Sequence, residues 1–95
     1  MPKAYLVAHI RVHDHEAYEK FKAIARPAIA DHGGRVLVRN PSPDHREGDL
    51  RGITIVIEFE DMDAARSFYE SEAYTAARAV RETAAETDLM LVEGV

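Results

Sequence analysis

Residues 3–13 alternate strictly, with Ala4, Leu6, Ala8, Ile10 and Val12 pointing one way and Lys3, Tyr5, Val7, His9, Arg11 and His13 the other. A period of two is that of a β-strand, so this segment predicts a long strand with one wholly apolar face. At Asp14 the period changes. Its carboxylate can accept from the open backbone N–H groups of a helix, and Glu16 lies where the helix dipole favours an anion. Tyr18, Phe21, Ile24, Ala25, Ala28 and Ile29 then recur three and four residues apart, predicting a helix that stops at Gly33-Gly34. Pro27 lacks an N–H and collides with the carbonyl four residues back, so a kink is expected over residues 23–26.

Alternation returns over residues 35–39, where Val36 and Val38 oppose Arg35, Leu37 and Arg39. Residues 40–52 carry two prolines, two glycines and several carboxylates and read as a loop, longer than a tight hairpin needs. A third strand is predicted over residues 53–60, with Ile53, Ile55, Ile57 and Phe59 on its apolar face and Thr54, Val56, Glu58 and Glu60 on the other. Asp61 and Asp63 open a second helix that turns Ala65, Phe68 and Tyr69 inward, and Ser71 restarts it as a fresh cap before Tyr74, Ala77 and Val80. Residues 88–93 form a short final strand, stopped by Gly94.

The order strand, helix, strand, strand, helix, strand is the split βαβ arrangement. It predicts an α+β, ferredoxin-like βαββαβ fold in one domain, residues 1–95, with a four-stranded antiparallel sheet and both helices on one face. The helices cover the face of Leu6, Ile10, Ile55, Ile57 and Phe59 and leave Tyr5, Val7, Leu37 and Val56 bare. An apolar patch of that kind marks an interface, and a homodimer closing two sheets face to face into a barrel-like sandwich is the economical solution. His9, Arg39 and Glu58 would then be enclosed and must find partners or line a wet cavity.

Seventeen acidic residues against twelve basic ones give a formal charge of −5, which disfavours nucleic-acid and membrane-surface partners. The absence of cysteine removes disulfides, thiolate metal sites and thiol nucleophiles together and fits the cytoplasm. The start Met1-Pro2-Lys3 and the lack of a long apolar run predict neither a secretory signal nor a membrane span.

His32-Gly33-Gly34-Arg35, Glu47-Gly48-Asp49, Glu58-Phe59, Ser67-Phe68-Tyr69-Glu70-Ser71-Glu72-Ala73-Tyr74 and Val92-Glu93-Gly94, in this order and spacing, resemble the DUF1330 family over essentially the whole chain. The acidic loop segment Pro43-Asp44-His45-Arg46 and Pro27 depart from that pattern. The resemblance implies a ferredoxin-like domain of the dimeric α+β barrel group and no established activity. The wider group includes cofactor-free monooxygenases, haem-degrading enzymes, muconolactone isomerases and ligand-sensing domains, a likeness of fold that transfers no mechanism.

With thiols absent, candidate chemistry falls to histidine, tyrosine, arginine and carboxylates. His9, mid-strand on the mixed face, can act as a general base if Glu58 adjoins it, while Arg39, Tyr69, Tyr74 and Arg78 suit the binding of a carboxylate or enolate. Ion pairing at the dimer seam accounts for His9 and Glu58 as well, and pairing of Arg78 and Arg81 with Glu70, Glu82 or Glu58 accounts for the helix arginines. His13-Asp14-His15 offers too few ligands for a metal once Asp14 caps the helix, and Gly33-Gly34 follows a helix instead of opening one, so no metal, phosphate loop or cofactor is expected. Tryptophan, on which haem degradation in this fold group leans, is missing. The expectation is a small anionic or aromatic molecule bound between the inner sheet face and the second helix, with cofactor-independent proton-transfer or oxygenase chemistry. The alternative is a non-catalytic dimeric module whose polar sheet face only fixes the dimer.

Overall fold

The computed structural model describes residues 2–95, and in it the first alternating segment is β1 (Ala4–Val12), whose Ala4, Leu6, Ala8 and Ile10 are buried. Asp14 caps α1 (His15–Asp31) by accepting from the Ala17 N–H at 3.1 Å. The helix runs unbroken past Pro27, and no interruption falls at residues 23–26. Pro27 and Ala23 both lie on the exposed side, where water can serve the carbonyl that the proline leaves without a donor. Gly33, at φ +69°, ends the helix: its N–H reaches the Ala30 carbonyl and the Gly34 N–H reaches that of Ile29, the paired bonds of a Schellman stop.

β2 (Arg35–Asn40), β3 (Ile53–Phe59), α2 (Met62–Glu70), α3 (Glu72–Ala84) and β4 (Ala85–Glu93) follow. Ser71 separates the two later helices, donating to the Phe68 carbonyl and accepting from the Tyr74 N–H, so one hydroxyl closes α2 and opens α3. β4 begins three residues earlier than the sequence pattern suggests. It pairs with β1 along its full length, from Val12 opposite Ala85 to Ala4 opposite Glu93, and that pairing outweighs the helix preference of residues 84–86.

All pairings are antiparallel and the sheet order is β2-β3-β1-β4, which with the helices gives the α+β ferredoxin-like fold. α1, α2 and α3 cover the face of Leu6, Ile10, Ile57 and Phe59; the core between them holds Phe21, Ala25, Phe68, Tyr74 and Ala77. The other face has no protein layer over it. Across its middle runs an apolar row, Met90–Val7–Val56–Val38, flanked by Val92–Tyr5–Glu58–Arg35 on one side and Asp88–His9–Thr54–Asn40 on the other.

β2 carries one irregularity that matters for the site. Val36 pairs with Ile57 and Val38 with Val56, so Leu37 bulges out without a partner and the alternation of the strand shifts by one. Arg39 therefore stands opposite Ile55, on the helix side of the sheet. The sequence pattern had placed it with His9 and Glu58, because a strict period of two allows for no extra residue.

Candidate functional site

The register separates the two residues considered as a catalytic pair. His9 faces Thr54, whose Oγ1 lies 3.3 Å from the imidazole Nδ1, and Asp88 flanks it on β4. Glu58 faces Tyr5, whose hydroxyl donates to it at 3.3 Å. Those positions lie four residues apart along β1, roughly 13 Å of extended strand. Both belong to the open face, and neither reaches the space beneath the helices.

That space is the candidate site. Between the helix-covered face of the sheet and α1 and α3 lies a cavity of about 50 Å³, room for roughly four water-sized groups. Leu6, Ile55, Ile57 and Phe21 form its apolar walls, and Tyr18, Tyr74 and Arg81 also line it. It reaches the exposed Val36, Arg26 and Arg39, which places its mouth between α1 and β2. The cavity was expected beside the mixed sheet face. It lies on the opposite side, because an enclosed space needs a second layer and only the apolar face has one.

Tyr74 is 3% exposed and its hydroxyl accepts from Nη1 of Arg81 at 2.5 Å. Arg81 is itself 6% exposed, and its guanidinium lies over the rings of Phe21 and Tyr74 at 5.7 and 5.9 Å. Among the described residues it forms no ion pair, and its Nε is buried without any hydrogen-bond partner. Burial pushes the Tyr74 phenol above its ordinary pKa, while the Arg81 charge and hydrogen bond pull the other way. Tyr18 is likewise raised by burial and opposed by the charges of Arg39 and Arg81. Lys22, Arg26, Arg39 and Arg81 all border the cavity and no carboxylate does, in a chain whose net charge is −5.

Tyr69 and Arg78 form a separate pair. Nη1 of Arg78 donates to the Tyr69 hydroxyl at 2.9 Å and the guanidinium lies 5.2 Å from that ring, outside the cavity lining. Along α3, Tyr74 and Arg81 turn inward and Arg78 is half-buried. Tyr18 was read as core packing only. Its position on the stripe with Phe21 and Ala25 marked burial, and nothing in the spacing marked a phenol beside a cavity.

A wider depression of about 340 Å³, at Pro2, Asp61, Met62, Asp63, Arg66 and Glu93, is a weaker candidate. Asp61 is already engaged in capping α2, and Asp63 pairs with Arg66. No helix of the described residues is long and apolar enough to cross a membrane.

Solved structures share this architecture. The RPA0582 protein of unknown function from Rhodopseudomonas palustris aligns over 99% of this chain and 83% of its own, with a TM-score of 0.81 at 15% identity. SnoaB, a cofactor-independent oxygenase from Streptomyces nogalater, aligns over 100% of this chain and 95% of its own, with a TM-score of 0.68 at 16% identity. A dimeric protein of unknown function and ferredoxin-like fold from Bacteroides fragilis aligns over 97% and 96%, with a TM-score of 0.56 at 13% identity. At such identities the likeness is one of fold. No curated protein matches the chain. The family model of DUF1330, a domain of unknown function, matches residues 3–95, and the chain belongs to that family.

Proposed function

We propose that the protein binds a small organic molecule in the cavity between the sheet and α1 and α3, and works as a homodimer joined through its open sheet faces. The observation that carries the first part is the enclosed apolar space with Tyr74 and Arg81 at its wall. Folded chains fill interior space closely, and a hollow bordered by a few convergent polar groups is the usual form of a ligand site. The chemistry such a site supports is stabilisation of an oxyanion. The Tyr74 hydroxyl, kept protonated by burial and accepting from Arg81, can donate a hydrogen bond to a negative oxygen beside the guanidinium charge. The same fold in SnoaB, a cofactor-independent oxygenase, supports chemistry of this cofactor-free kind.

The second part rests on the bare apolar row of Met90, Val7, Val56 and Val38, with Met90 57% exposed, and on the dimeric neighbour of the same fold. In this reading His9 and Glu58 serve the seam, each satisfied by a hydroxyl of the adjoining strand.

Both parts are directly testable. n-Propanol titrated into labelled protein is expected to shift the amide signals of Phe21, Ile55 and Tyr74, and to lose that effect in Ala25→Leu, which fills the cavity. Shifts confined to the open face would overturn the assignment of the site. Light scattering at micromolar concentration is expected to give twice the 10.6 kDa chain mass, falling to the chain mass in Val56→Asp. A wild-type monomer would refute the dimer.

A further inference from the structure

We infer that the cavity takes a small monocarboxylate with a short apolar tail, its carboxylate held by Arg81 and steered in past Arg39. The inference rests on the cavity reading and narrows it to one class of ligand.

Arg81 is the starting point. A guanidinium carries five N–H donors and keeps its charge at any physiological pH. Here the group is more than nine-tenths buried and uses one donor, on a neutral phenol. Every ion pair among the described residues lies elsewhere: Lys3–Glu60, Arg11 with Glu86 and Asp88, Lys22–Glu19, Arg46–Asp44 and Arg66–Asp63. A buried cation without a counter-charge is among the most unfavourable arrangements a fold can keep. A ligand anion removes that penalty, and a carboxylate matches the planar donor fork of arginine.

The walls decide what accompanies the charge. Phe21, Ile29, Ile55 and Ile57 offer no hydrogen bond to a tail, so the remainder of the ligand is apolar. Room for about four water-sized groups suits a chain of three to five carbons. A tetrahedral, strongly hydrated phosphate would need more donors than Arg81 and Tyr74 supply, whereas the planar fork of the guanidinium suits a flat carboxylate.

The mouth adds selection by charge. Arg39 and Arg26 flank it, Lys22 there being paired with Glu19 at 2.9 Å, and no carboxylate is among the lining residues, so the local field attracts an anion that the net charge of −5 would otherwise repel. Arg39 holds this position only through the bulge at Leu37, a backbone irregularity of the kind that re-aims a side chain.

The test compares butyrate with its neutral isostere butyramide by isothermal titration, on wild type, Arg81→Met and Arg39→Gln. Butyrate is expected to bind wild type at least tenfold more tightly than butyramide. Arg81→Met should abolish that preference, and Arg39→Gln should weaken butyrate two- to fivefold. Equal affinity of the two ligands for wild type overturns the carboxylate inference while leaving the cavity reading intact. Failure of butyrate, butyramide and n-propanol alike overturns both. Competition by inorganic phosphate at the concentration of butyrate that half-saturates the site would also overturn it. Should Arg81→Met not fold, Arg81→Lys keeps the charge without the fork and is expected to lose at least fivefold for butyrate; an unchanged affinity there refutes the role of Arg81.

Discussion

Replacing Arg81 and Tyr74 together by Met and Phe tests whether this buried pair serves the fold or a ligand. The double change removes the charge, the phenol and the hydrogen bond between them, and leaves side chains of similar volume in the same space. On one side of the balance stand a charge-assisted hydrogen bond, about 1.5–3 kcal/mol net, and stacking of the guanidinium on Phe21 and Tyr74, about 0.5–2 kcal/mol. On the other stand the orphaned Nε, about 1–3 kcal/mol, and the burial of an unpaired ion, several kcal/mol. The second side is larger. The double variant is therefore expected to be more stable than wild type by about 1–2 kcal/mol, a rise in melting temperature of roughly 5–15 °C for a domain of this size. Each single variant should fall below the double, because Arg81→Met strands the phenol and Tyr74→Phe strands the guanidinium. Thermal unfolding of all four proteins at one protein concentration measures this, since the proposed dimer would link melting to concentration. If the double variant melts more than 5 °C below wild type, Arg81 is a structural strut and the case for its retention as a ligand group collapses.

Two further perturbations follow from the same structure. Burial raises the phenol of Tyr18 above its ordinary value of 10.0, so the unfolded chain releases that proton first as pH rises. Its contribution is complete below pH 10 and is lost as pH climbs towards the higher native value; Tyr18→Phe should flatten the alkaline limb of a urea-stability profile, and an identical limb in the variant would contradict the assignment. Gly52 has φ +106°, and a Cβ there would sit 2.7 Å from the Ile10 carbonyl carbon, whereas Gly48, at φ +84°, has open space around it. Gly52→Ala should lose about 3 kcal/mol or more by chemical denaturation and Gly48→Ala only about 1 kcal/mol, and comparable losses would show that the backbone contact is relieved by a small shift.

Much of the fold is written in periodicity and caps. β1, α1 and β3 follow from the spacing of apolar residues, and Asp14, Asp61, Ser71 and Gly33 mark helix ends by chemistry that acts within a few residues. What the pattern misses depends on contacts distant along the chain. No turn joins β1 to β3, since α1 and β2 intervene along the chain, so the alignment of His9 with Thr54 instead of Glu58 is fixed by packing across the sheet. The bulge at Leu37 hides in a strand of six residues, where one step out of phase leaves no periodic trace. Arg81 was legible in retrospect. It continues the inward stripe of Tyr74 and Ala77 and precedes Ala84, and a charge set among buried alanines on one helix face is a signal that a general expectation of exposed arginines conceals.

The bulge at Leu37 ties two surfaces to a single backbone event. Were β2 to pair with β3 without it, Val38 would fall opposite Ile55 and Arg39 opposite Thr54, so a valine would replace the cation at the cavity mouth and a guanidinium would join His9 on the open face. Excising Leu37 outright would have the contrary outcome, straightening the strand while every pairing from Val38 onward stays in place. The side chains at the cavity mouth and on the open sheet face are therefore not independent traits of this edge strand. A lineage that slid β2 by one step would alter both at once, with no substitution at any residue lining the cavity.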